Sequence, residues 1–418
     1  MANLSIDSDR LWGSLMELAK IGATAKGGVR RLALTELDGQ ARDLFIRWCK
    51  DAGCTVTVDG IGNIFARRPG KDDRLPPIIT GSHIDTQPSG GKFDGNYGVM
   101  SGLEVLRTLN DHGVQTQAPI EVAVWTNEEG SRFTPVMMGS GVFVGAFPLE
   151  STLQRPDLEG ITVGAALKNI GYAGTQPVGG RPVGAYFEAH IERGPILEDT
   201  KKVIGVVTGA LGLRWYDVVV TGQDAHAGPT PMRLRKDAMV AAAKMVAEVN
   251  GLAQRYQPDG RGTVGFMQVK PNSRNVIPGE VRFSVDLRHA KDEQLDRMEE
   301  EMRTMCEKIA RSHNVESSVE RVADYPACNF DASCVSAVRN AAAQLGLSHM
   351  DIVSGAGHDA IYMARVAATS MIFVPCEGGI SHNEIENATP EDLAAGCNVL
   401  LNVMLERARV ASGPGPGA

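Results

Sequence analysis

The sequence contains no long hydrophobic run and no excess of positive charge. In its 418 residues, no apolar stretch approaches the roughly 20 residues that a membrane-spanning helix needs. Lysine and arginine total 42 against 50 aspartate and glutamate residues, which gives a net charge of −8. A chain with this balance lacks the basic surface that binds nucleic acid or an anionic membrane. We therefore expect neither nucleic acid nor a membrane among its partners.

Cysteine is also scarce, and its distribution excludes several kinds of site. The seven cysteines are scattered and odd in number, and no Cys-x-x-Cys pair occurs. This pattern argues against a disulfide framework and against a thiolate metal cluster. The N-terminus lacks the basic start and apolar core of a signal peptide, so we expect a cytoplasmic protein. No Gly-x-Ser-x-Gly motif is present and no cysteine has an evident histidine partner, which disfavours a metal-free serine or cysteine hydrolase.

The chain is long enough for two domains, and its pattern of predicted strands and helices changes twice. Residues 1–212 and 329–411 alternate apolar strand patterns with helical ones, including a helix predicted over 153–169. Residues 213–328 have an α+β pattern of their own, which indicates an inserted second domain. The Gly- and Pro-rich tail, 412–418, is predicted to be disordered.

One stretch, Gly81–Thr86 with its continuation to Asn96, organises the first part of the chain. The preceding residues 76–80 are apolar and bounded by prolines, which predicts a short buried strand. His83 and Asp85 would then lie at its C-terminal end, and a glycine-rich turn brings back Asp94. Open α/β sheets bind ligands beyond the carboxyl ends of their strands. A histidine beside an aspartate is equally typical of a buried structural pair. The choice between a metal site and such a pair therefore depends on the other polar clusters of the chain.

Three further polar clusters also follow predicted strands or lie at their ends. The strand over 120–126 ends at Glu128 and Glu129, a third cluster contains His190, and the strand over 369–374 is followed by His382. Imidazole and carboxylate ligands without sulfur suit Zn, Mn or Co. Two metal ions need a bridging carboxylate. Asp94 is the natural bridge, with His83 and His190 completing one ion and Glu129 and His382 the other.

The adjacent pair Glu128 and Glu129 suggests a division of labour. Neighbouring side chains on an extended backbone point apart, so the two carboxylates would not serve one ion identically. With Glu129 as a ligand, Glu128 could act as the general base on a bound water. Taken alone, two adjacent glutamates are more typical of a solvated surface.

The inserted segment supplies candidate substrate contacts. His226 stands between small residues and prolines, outside the metal set, where it could donate to a developing oxyanion. Asn275 adds an amide and Arg288 a guanidinium fork that suits a substrate carboxylate. A salt bridge between Arg288 and Asp286 is an equally good reading of that pair.

Taken together in this order, the motifs resemble one family, the hydantoinase/carbamoylase amidases. These comprise N-carbamoyl-L-amino-acid hydrolases, β-ureidopropionases and allantoate amidohydrolases, within the dinuclear zinc aminoacylase and carboxypeptidase superfamily. The resemblance covers residues 8 to 410. The segments that carry it are Gly81–Thr86, Gly91–Gly95, Asn127–Gly130, Ala189–Gly194, Ala225–Gly228, Asn275–Pro278 and Ser381–Glu384.

The resemblance implies an α/β fold, a dinuclear-metal aminopeptidase-like catalytic domain with an inserted α+β lid and dimerisation domain. It implies a homodimer and two divalent ions per subunit, zinc by default, although Mn, Co or Ni would suit the same ligands. It implies Glu128 as the base, Asp85 as the carboxylate behind a ligand and Gly355 as a backbone contact to substrate. The ligand and substrate positions that match are His83, Asp94, Glu129, His190 and His382, and His226, Asn275 and Arg288.

The expected reaction is hydrolysis of a linear C–N bond other than a peptide bond. The resemblance favours cleavage of an N-carbamoyl-L-amino acid to the amino acid, carbon dioxide and ammonia. Allantoate, N-carbamoyl-β-alanine, an N-acyl amino acid or a dipeptide are alternative substrates. A dimeric binding protein of the same fold is the non-enzymatic alternative, which the complete ligand set disfavours.

One residue departs from the family pattern. The usual sequence of the third cluster is His-Ile-Glu-Gln-Gly, and here Arg193 replaces the glutamine. The glutamine position is expected to lie near the substrate. Arginine adds a fixed charge and removes an acceptor, so it could favour a substrate with an extra carboxylate or pair with a nearby acid.

Overall fold

The computed structural model describes residues 4–409, and the tail predicted to be disordered, 412–418, lies outside them. The strands are β1 (Thr55–Val58), β2 (Ile64–Arg68), β3 (Ile78–His83), β4 (Ile120–Trp125), β5 (Ala185–Ile191), β6 (Ile204–Ala210), β7 (Gly212–Thr221), β8 (Ala225–His226), β9 (Arg261–Thr263), β10 (Met267–Lys270), β11 (Val276–Ile277), β12 (Glu280–His289), β13 (Glu316–Tyr325), β14 (Cys328–Asn329), β15 (His349–Ser354) and β16 (Thr369–Val374). The helices are α1 (Ser8–Ala19), α2 (Glu36–Asp51), α3 (Asn96–Asp111), α4 (Met138–Phe143), α5 (Leu149–Leu153), α6 (Val163–Asn169), α7 (Ile196–Asp199), α8 (Ala238–Arg255), α9 (Asp292–Ser312), α10 (Ala332–Gln344), α11 (Asp359–Met363) and α12 (Pro390–Ala408).

The chain divides into two compact units. The first contains the residues up to Thr208 together with those from Phe330 onward, and the second runs from Gly209 to Asn329. Among the helices of residues 4–409, none has the length and apolarity to span a bilayer.

A mixed sheet forms the centre of the first unit. Its strand order is β1-β2-β4-β3-β5-β16-β6, and β15 also pairs with β6. The four central strands, β4, β3, β5 and β16, run parallel to one another. Every residue of these four strands is buried, because parallel strands are covered on both faces. The predicted α/β fold is confirmed, and the carboxyl ends of the four strands meet at one edge.

The second unit is a separate α+β body. Its main sheet has the order β10-β12-β7-β13, with β9 also paired to β12, and β8 pairs with β11 in a two-stranded ribbon. Alternate residues of β7 and β12 are buried, as expected for a sheet covered on one face. The buried face packs against α8 and α9 in a core that includes Tyr216, Val218, Met245, Phe283 and Met298.

The helix predicted over 153–169 is wrong in its first half. The segment between α5 and α6 is a turn closed by the Gly160 N–H, which donates to the Asp157 carbonyl at 3.0 Å. The Asp157 side chain also accepts from the backbone N–H groups of Glu159 and Ile161. Gly160 has φ +83°, which no helix allows. A local aspartate turn therefore replaces the helical hydrogen bonds that the apolar spacing suggested.

We predict that the buried ion pair of Arg42 and Asp38 contributes strongly to stability. Its Nε and Oδ2 atoms lie 2.9 Å apart and both side chains are at most 1% exposed. Arg42→Met would leave a buried carboxylate without its cation and should lower the free energy of unfolding of the first unit by about 3–5 kcal/mol. Urea unfolding followed by tryptophan fluorescence measures the change.

The matched control is Arg74→Met, which breaks an exposed pair with Asp72 in which Nε and Oδ1 lie 2.8 Å apart. We expect no measurable change in that variant because water screens the pair. Equal unfolding midpoints for the two variants would contradict the prediction.

Candidate metal centre

The candidate ligands lie on four segments at the carboxyl edge of the parallel strands. His83 is the last residue of β3, and His190 is the penultimate residue of β5. Glu129 follows β4 after a short turn, and His382 follows β16. Residues far apart in the sequence therefore converge at one edge of the sheet, as the strand-end pattern predicted.

The first group of donors contains His83, Asp94 and His190, all buried. Asp94 Oδ1 lies 3.7 Å from His83 Nε2 and 3.2 Å from His190 Nε2. The three donor atoms all lie within 4.8 Å of one another. Gly95 makes this approach feasible, because a Cβ at that position would lie 2.4 Å from the His83 ring.

The second group shares Asp94 with the first. Its other oxygen, Oδ2, lies 3.3 Å from His382 Nε2, which lies 3.2 Å from Glu129 Oε2. These donors also lie within 4.8 Å of one another. Gln87 Nε2 donates to Glu129 Oε2 at 2.9 Å and fixes that carboxylate. One carboxylate thus offers one oxygen to each donor group.

A third group of buried donors consists of Glu188, His190 and His358, of which only His190 was among the ligands predicted from the sequence. The Glu188 carboxylate already accepts hydrogen bonds from the Ser82 hydroxyl at 2.7 Å and from the Ala360 N–H at 3.0 Å. The Tyr186 hydroxyl lies 3.1 Å from its second oxygen. Since these partners satisfy Glu188, we interpret it as part of a hydrogen-bond network that supports β5.

The first two groups fit a divalent cation by their unsatisfied atoms and their electrostatics. Within residues 4–409, His83 Nε2 and Asp94 Oδ1 are buried without a hydrogen-bond partner. Burial lowers the pKa of His83, yet the surrounding carboxylates, led by Glu128, raise it overall to about 10. Hydrogen bonds to Asp94 and Glu129 likewise raise the pKa of His382 to about 10. The raised pKa values mean that the surrounding carboxylates favour a positive charge on these two imidazoles. The same carboxylates would attract a divalent cation.

Asp85 supports this centre differently from the expectation. The His83 Nδ1 contact, at 2.9 Å, is to the main-chain carbonyl of Asp85, and the Asp85 carboxylate lies farther away at 3.9 Å. That carboxylate instead accepts from the backbone N–H groups of Glu128 and Glu129, at 3.3 and 3.2 Å. The reason is that β3 ends at His83, so the alternation of side chains does not continue to Asp85. Asp85 therefore joins the turn after β3 to the turn after β4.

Glu128 lies beside the donor groups without belonging to either. Its Oε2 is 3.4 Å from His83 Nε2, and the residue is only 4% exposed. Burial raises the pKa of Glu128 to about 8, an effect that His83 and Arg193 partly offset. A carboxylate with a raised pKa at the edge of a cation site has the character of a proton carrier.

Two residues that the sequence reading missed hold the ligand loops in place. Glu386 Oε1 accepts from the backbone N–H groups of Phe93 and Asp94, at 2.9 and 3.1 Å. The Ser381 hydroxyl contacts both Glu386 and Asp94, at 3.0 and 2.7 Å. Glu386 lies two residues after the Ser381–Glu384 motif. This proximity in the sequence could have indicated that Glu386 supports the site.

The other missed residue is Arg31, whose guanidinium is fully buried. It donates to the carbonyl of Ile84 at 2.8 Å and to Asn96 Oδ1 at 2.6 Å. It therefore fixes the residue after His83 and the start of α3 together. No pattern around Arg31 in the sequence indicates this role.

Arg193 points into the same cluster. Its Nη1 lies 3.6 Å from Asp94 Oδ1 and 3.5 Å from His382 Nε2. Its Nη2 donates to the Gly357 carbonyl and lies 3.1 Å from His358 Nδ1. Arg193 has φ +58° and His382 φ +54°, a region that non-glycine residues adopt at a cost of order 1–3 kcal/mol. Strain of this kind at two neighbouring residues is typical of functional sites.

The remaining candidates belong to other segments. Gly355 lies in the loop between β15 and α11, two residues before the carbonyl that Arg193 contacts. In the second unit, His226 pairs across the β8–β11 ribbon with Val276, next to Asn275. Arg288 lies on β12, and its Nη2 donates to the Asp286 carboxylate at 2.8 Å. The salt bridge between Arg288 and Asp286, which the sequence analysis gave as the alternative to substrate binding, is thus present within the second unit.

Comparisons with known proteins agree with this arrangement. The sequence profile of "Peptidase family M20/M25/M40" matches residues 79–406. An N-carbamoyl-L-amino-acid amidohydrolase from Rhizobium meliloti is 49% identical over 408 residues, which cover 98% of each chain. An allantoate amidohydrolase from Bacillus subtilis is 32% identical over 94% of this chain and 95% of that protein.

A solved structure extends the likeness to the fold. The crystal structure of an amidase of the hydantoinase/carbamoylase family from Burkholderia multivorans has a TM-score of 0.95 and 58% identity, and the match covers 97% of this chain and 98% of that one. These matches confirm the resemblance that the sequence motifs suggested. The chain belongs to peptidase family M20/M25/M40 and is one of its hydantoinase/carbamoylase amidases.

Proposed function

We propose that this amidohydrolase cleaves the linear C–N bond of a ureido compound, converting an N-carbamoyl-L-amino acid to the L-amino acid, carbon dioxide and ammonia. The observation that carries the proposal is the pair of donor groups that share Asp94, with the buried Glu128 beside them. The high identity to an N-carbamoyl-L-amino-acid amidohydrolase over nearly the whole chain supports the choice of substrate.

Two divalent ions, zinc by default, would be held by the two donor groups. When bound, they would supply Lewis acidity that polarises the ureido carbonyl and lowers the pKa of a water from its bulk value towards about 7. Ligands of imidazole and carboxylate also suit Mn, Co or Ni. His83, Asp94 and His190 would hold one ion, and Asp94, Glu129 and His382 the other.

Glu128 would move the proton in this reaction. Its carboxylate accepts a proton from the attacking water and returns it to the leaving nitrogen, as a single group can when it faces both atoms. The raised pKa of Glu128 makes it a stronger base than an exposed glutamate. Asp85 keeps the turn that carries Glu128 in place through its bond to the Glu128 N–H.

The second unit would bind the rest of the substrate. By resemblance, Asn275 and Arg288 would hold the substrate carboxylate, His226 would donate to the oxyanion, and Gly355 of the first unit would contact the substrate through its backbone. We further propose that the first unit is catalytic, that the second serves as lid and dimerisation domain, and that the enzyme works as a homodimer. The scattered, odd number of cysteines favours a cytoplasmic location.

We predict that Glu128→Gln strongly lowers kcat without loss of the ions. The amide keeps the shape of the side chain and cannot accept a proton, so kcat should fall by about 10²–10⁴-fold. The measurement is ammonia release by metal-reconstituted protein from N-carbamoyl-L-amino acids, N-carbamoyl-β-alanine, allantoate and an N-acetyl amino acid. The matched control is Glu17→Gln, which changes an exposed glutamate paired with Lys20 and should leave kcat unchanged.

The same panel separates the alternatives. Preference for allantoate or N-carbamoyl-β-alanine would replace the proposed substrate and keep the chemistry. Turnover of the N-acetyl amino acid alone would favour an acylase, and binding without any turnover would favour a binding protein. Full activity of Glu128→Gln would contradict the role of Glu128.

The shared carboxylate leads to a prediction about metal content. The wild-type chain should retain two divalent ions after dialysis, measured by inductively coupled plasma mass spectrometry. His382→Ala should retain one, because it removes a ligand of one group only. Asp94→Asn should retain none, because it weakens both groups at once.

Chelation of the wild-type protein should abolish turnover, and re-addition of zinc, manganese, cobalt or nickel should identify the ions that restore it. A wild-type chain that saturates at a single ion would contradict the dinuclear assignment. Retention of one ion by Asp94→Asn would show that Asp94 does not bridge.

A further inference from the structure

The side chain of Arg193 is a buried positive charge at the centre of the site. Only 7% of it is exposed. Its ε-nitrogen has no hydrogen-bond partner among the described residues. Its Nη2 contacts the Gly357 carbonyl and the His358 ring, neither of which is a carboxylate. A guanidinium in this position needs an anion, because burying an unpaired charge is costly.

Asp94 is the carboxylate in ion-pair contact with Arg193 within residues 4–409, and the contact is loose. The 3.6 Å separation of Nη1 from Asp94 Oδ1 is longer than a charge-assisted hydrogen bond of about 2.7–2.9 Å. The same oxygen lies 3.2 Å from His190 in the first donor group, so it is shared with a candidate ion. Asp94 is therefore a poor permanent partner for Arg193.

The charge at residue 193 is also a departure from the family motif. Where the motif has a neutral glutamine, this chain has arginine, while the donors His83, Asp94, Glu129, His190 and His382 keep the motif's residue types. Relative to the motif, the site thus carries one additional positive charge. The backbone of Arg193 is in the left-handed region, with φ +58°.

We infer that Arg193 binds a second carboxylate of the substrate, so that the enzyme prefers N-carbamoyl derivatives of acidic L-amino acids. The inference rests on the proposed function and names its substrate class. A guanidinium presents a planar fork of donors that matches a carboxylate in two parallel hydrogen bonds. The Nε of Arg193 is buried and shares its edge of the guanidinium with Nη2, which donates to the Gly357 carbonyl. The terminal edge, Nη1 with Nη2, is the fork that can face a carboxylate, because Nη1 makes only long contacts to Asp94 and His382, at 3.6 and 3.5 Å. A neutral amide or aliphatic side chain of the substrate would leave Arg193 with only the loose contact to Asp94 and the longer-range attraction of Glu128, Glu129 and Glu188.

The test compares substrates that differ in one charge and hardly in shape. The pairs are N-carbamoyl-L-aspartate with N-carbamoyl-L-asparagine and N-carbamoyl-L-glutamate with N-carbamoyl-L-glutamine. For the wild-type holoenzyme, we expect kcat/KM to be at least tenfold higher for the acid of one or both pairs. In Arg193→Gln, which restores the residue of the family motif, the acid-to-amide ratio should fall at least tenfold.

Two further variants and a metal analysis sharpen the result. Arg193→Lys keeps the charge without the fork and should retain an intermediate ratio. Arg74→Gln removes an exposed arginine and should leave the ratio at the wild-type value. The ion content of every variant is measured in parallel. An unchanged ratio in Arg193→Gln would overturn the inference, whether or not the ion content changes.

A binding measurement makes the inference independent of turnover. Calorimetric titration of the holoenzyme with the product-type ligands L-aspartate and L-asparagine should show tighter binding of the dicarboxylate, and Arg193→Gln should remove the difference. If no ureido compound is hydrolysed while the dicarboxylate preference is present, the proposed reaction fails and the role of Arg193 stands. If N-carbamoyl amino acids are hydrolysed with no preference for acids, the role of Arg193 fails alone.

Discussion

The arrangement of the centre depends on a single carboxylate that is shared by three imidazoles. Asp94 lies 3.2 to 3.7 Å from ring nitrogens of His83, His190 and His382, which come from three different strands or the loops after them. Each of its oxygens faces a different donor group. Both groups are therefore coupled through one side chain, and any displacement of the loop before α3 would disturb both at once.

That coupling explains why so many contacts hold the loops through the main chain. Glu386 accepts from two consecutive backbone N–H groups at Asp94, and Asp85 does the same at Glu128 and Glu129. The Arg31 guanidinium binds the carbonyl beside His83. Contacts to the backbone fix the path of each loop, and the ligand side chains are then placed by short, well-defined lengths of chain.

The central sheet and the convergence of the candidate ligands at its edge could be predicted from the sequence because strand ends carry a strong signal. Buried apolar runs that stop at His83 and before Glu128 identify both a strand and the edge at which it ends. The residues that hold the candidate ligands in place gave no such signal in the sequence. The contact of the Asp85 carbonyl with His83 depends on where β3 stops, and the path of Arg31 through the core depends on tertiary packing. The helix predicted over 153–169 forms only from Val163 onward and shows the same limit, since the turn at Asp157 outweighs helical spacing before it.

The position of β16 in the sheet has a consequence for how the protein is made. β5 and β6 are consecutive in the chain, yet β16 lies between them and pairs with both. During synthesis, β5 and β6 emerge well before residues 369–374 exist, so the slot between them has no occupant. Until then, the edges of β5 and β6 that later pair with β16 have no partner strand. Unpaired strand edges make nascent chains prone to wrong pairing or aggregation. The second donor group, which includes His382, is therefore complete only when this last part of the chain has been made.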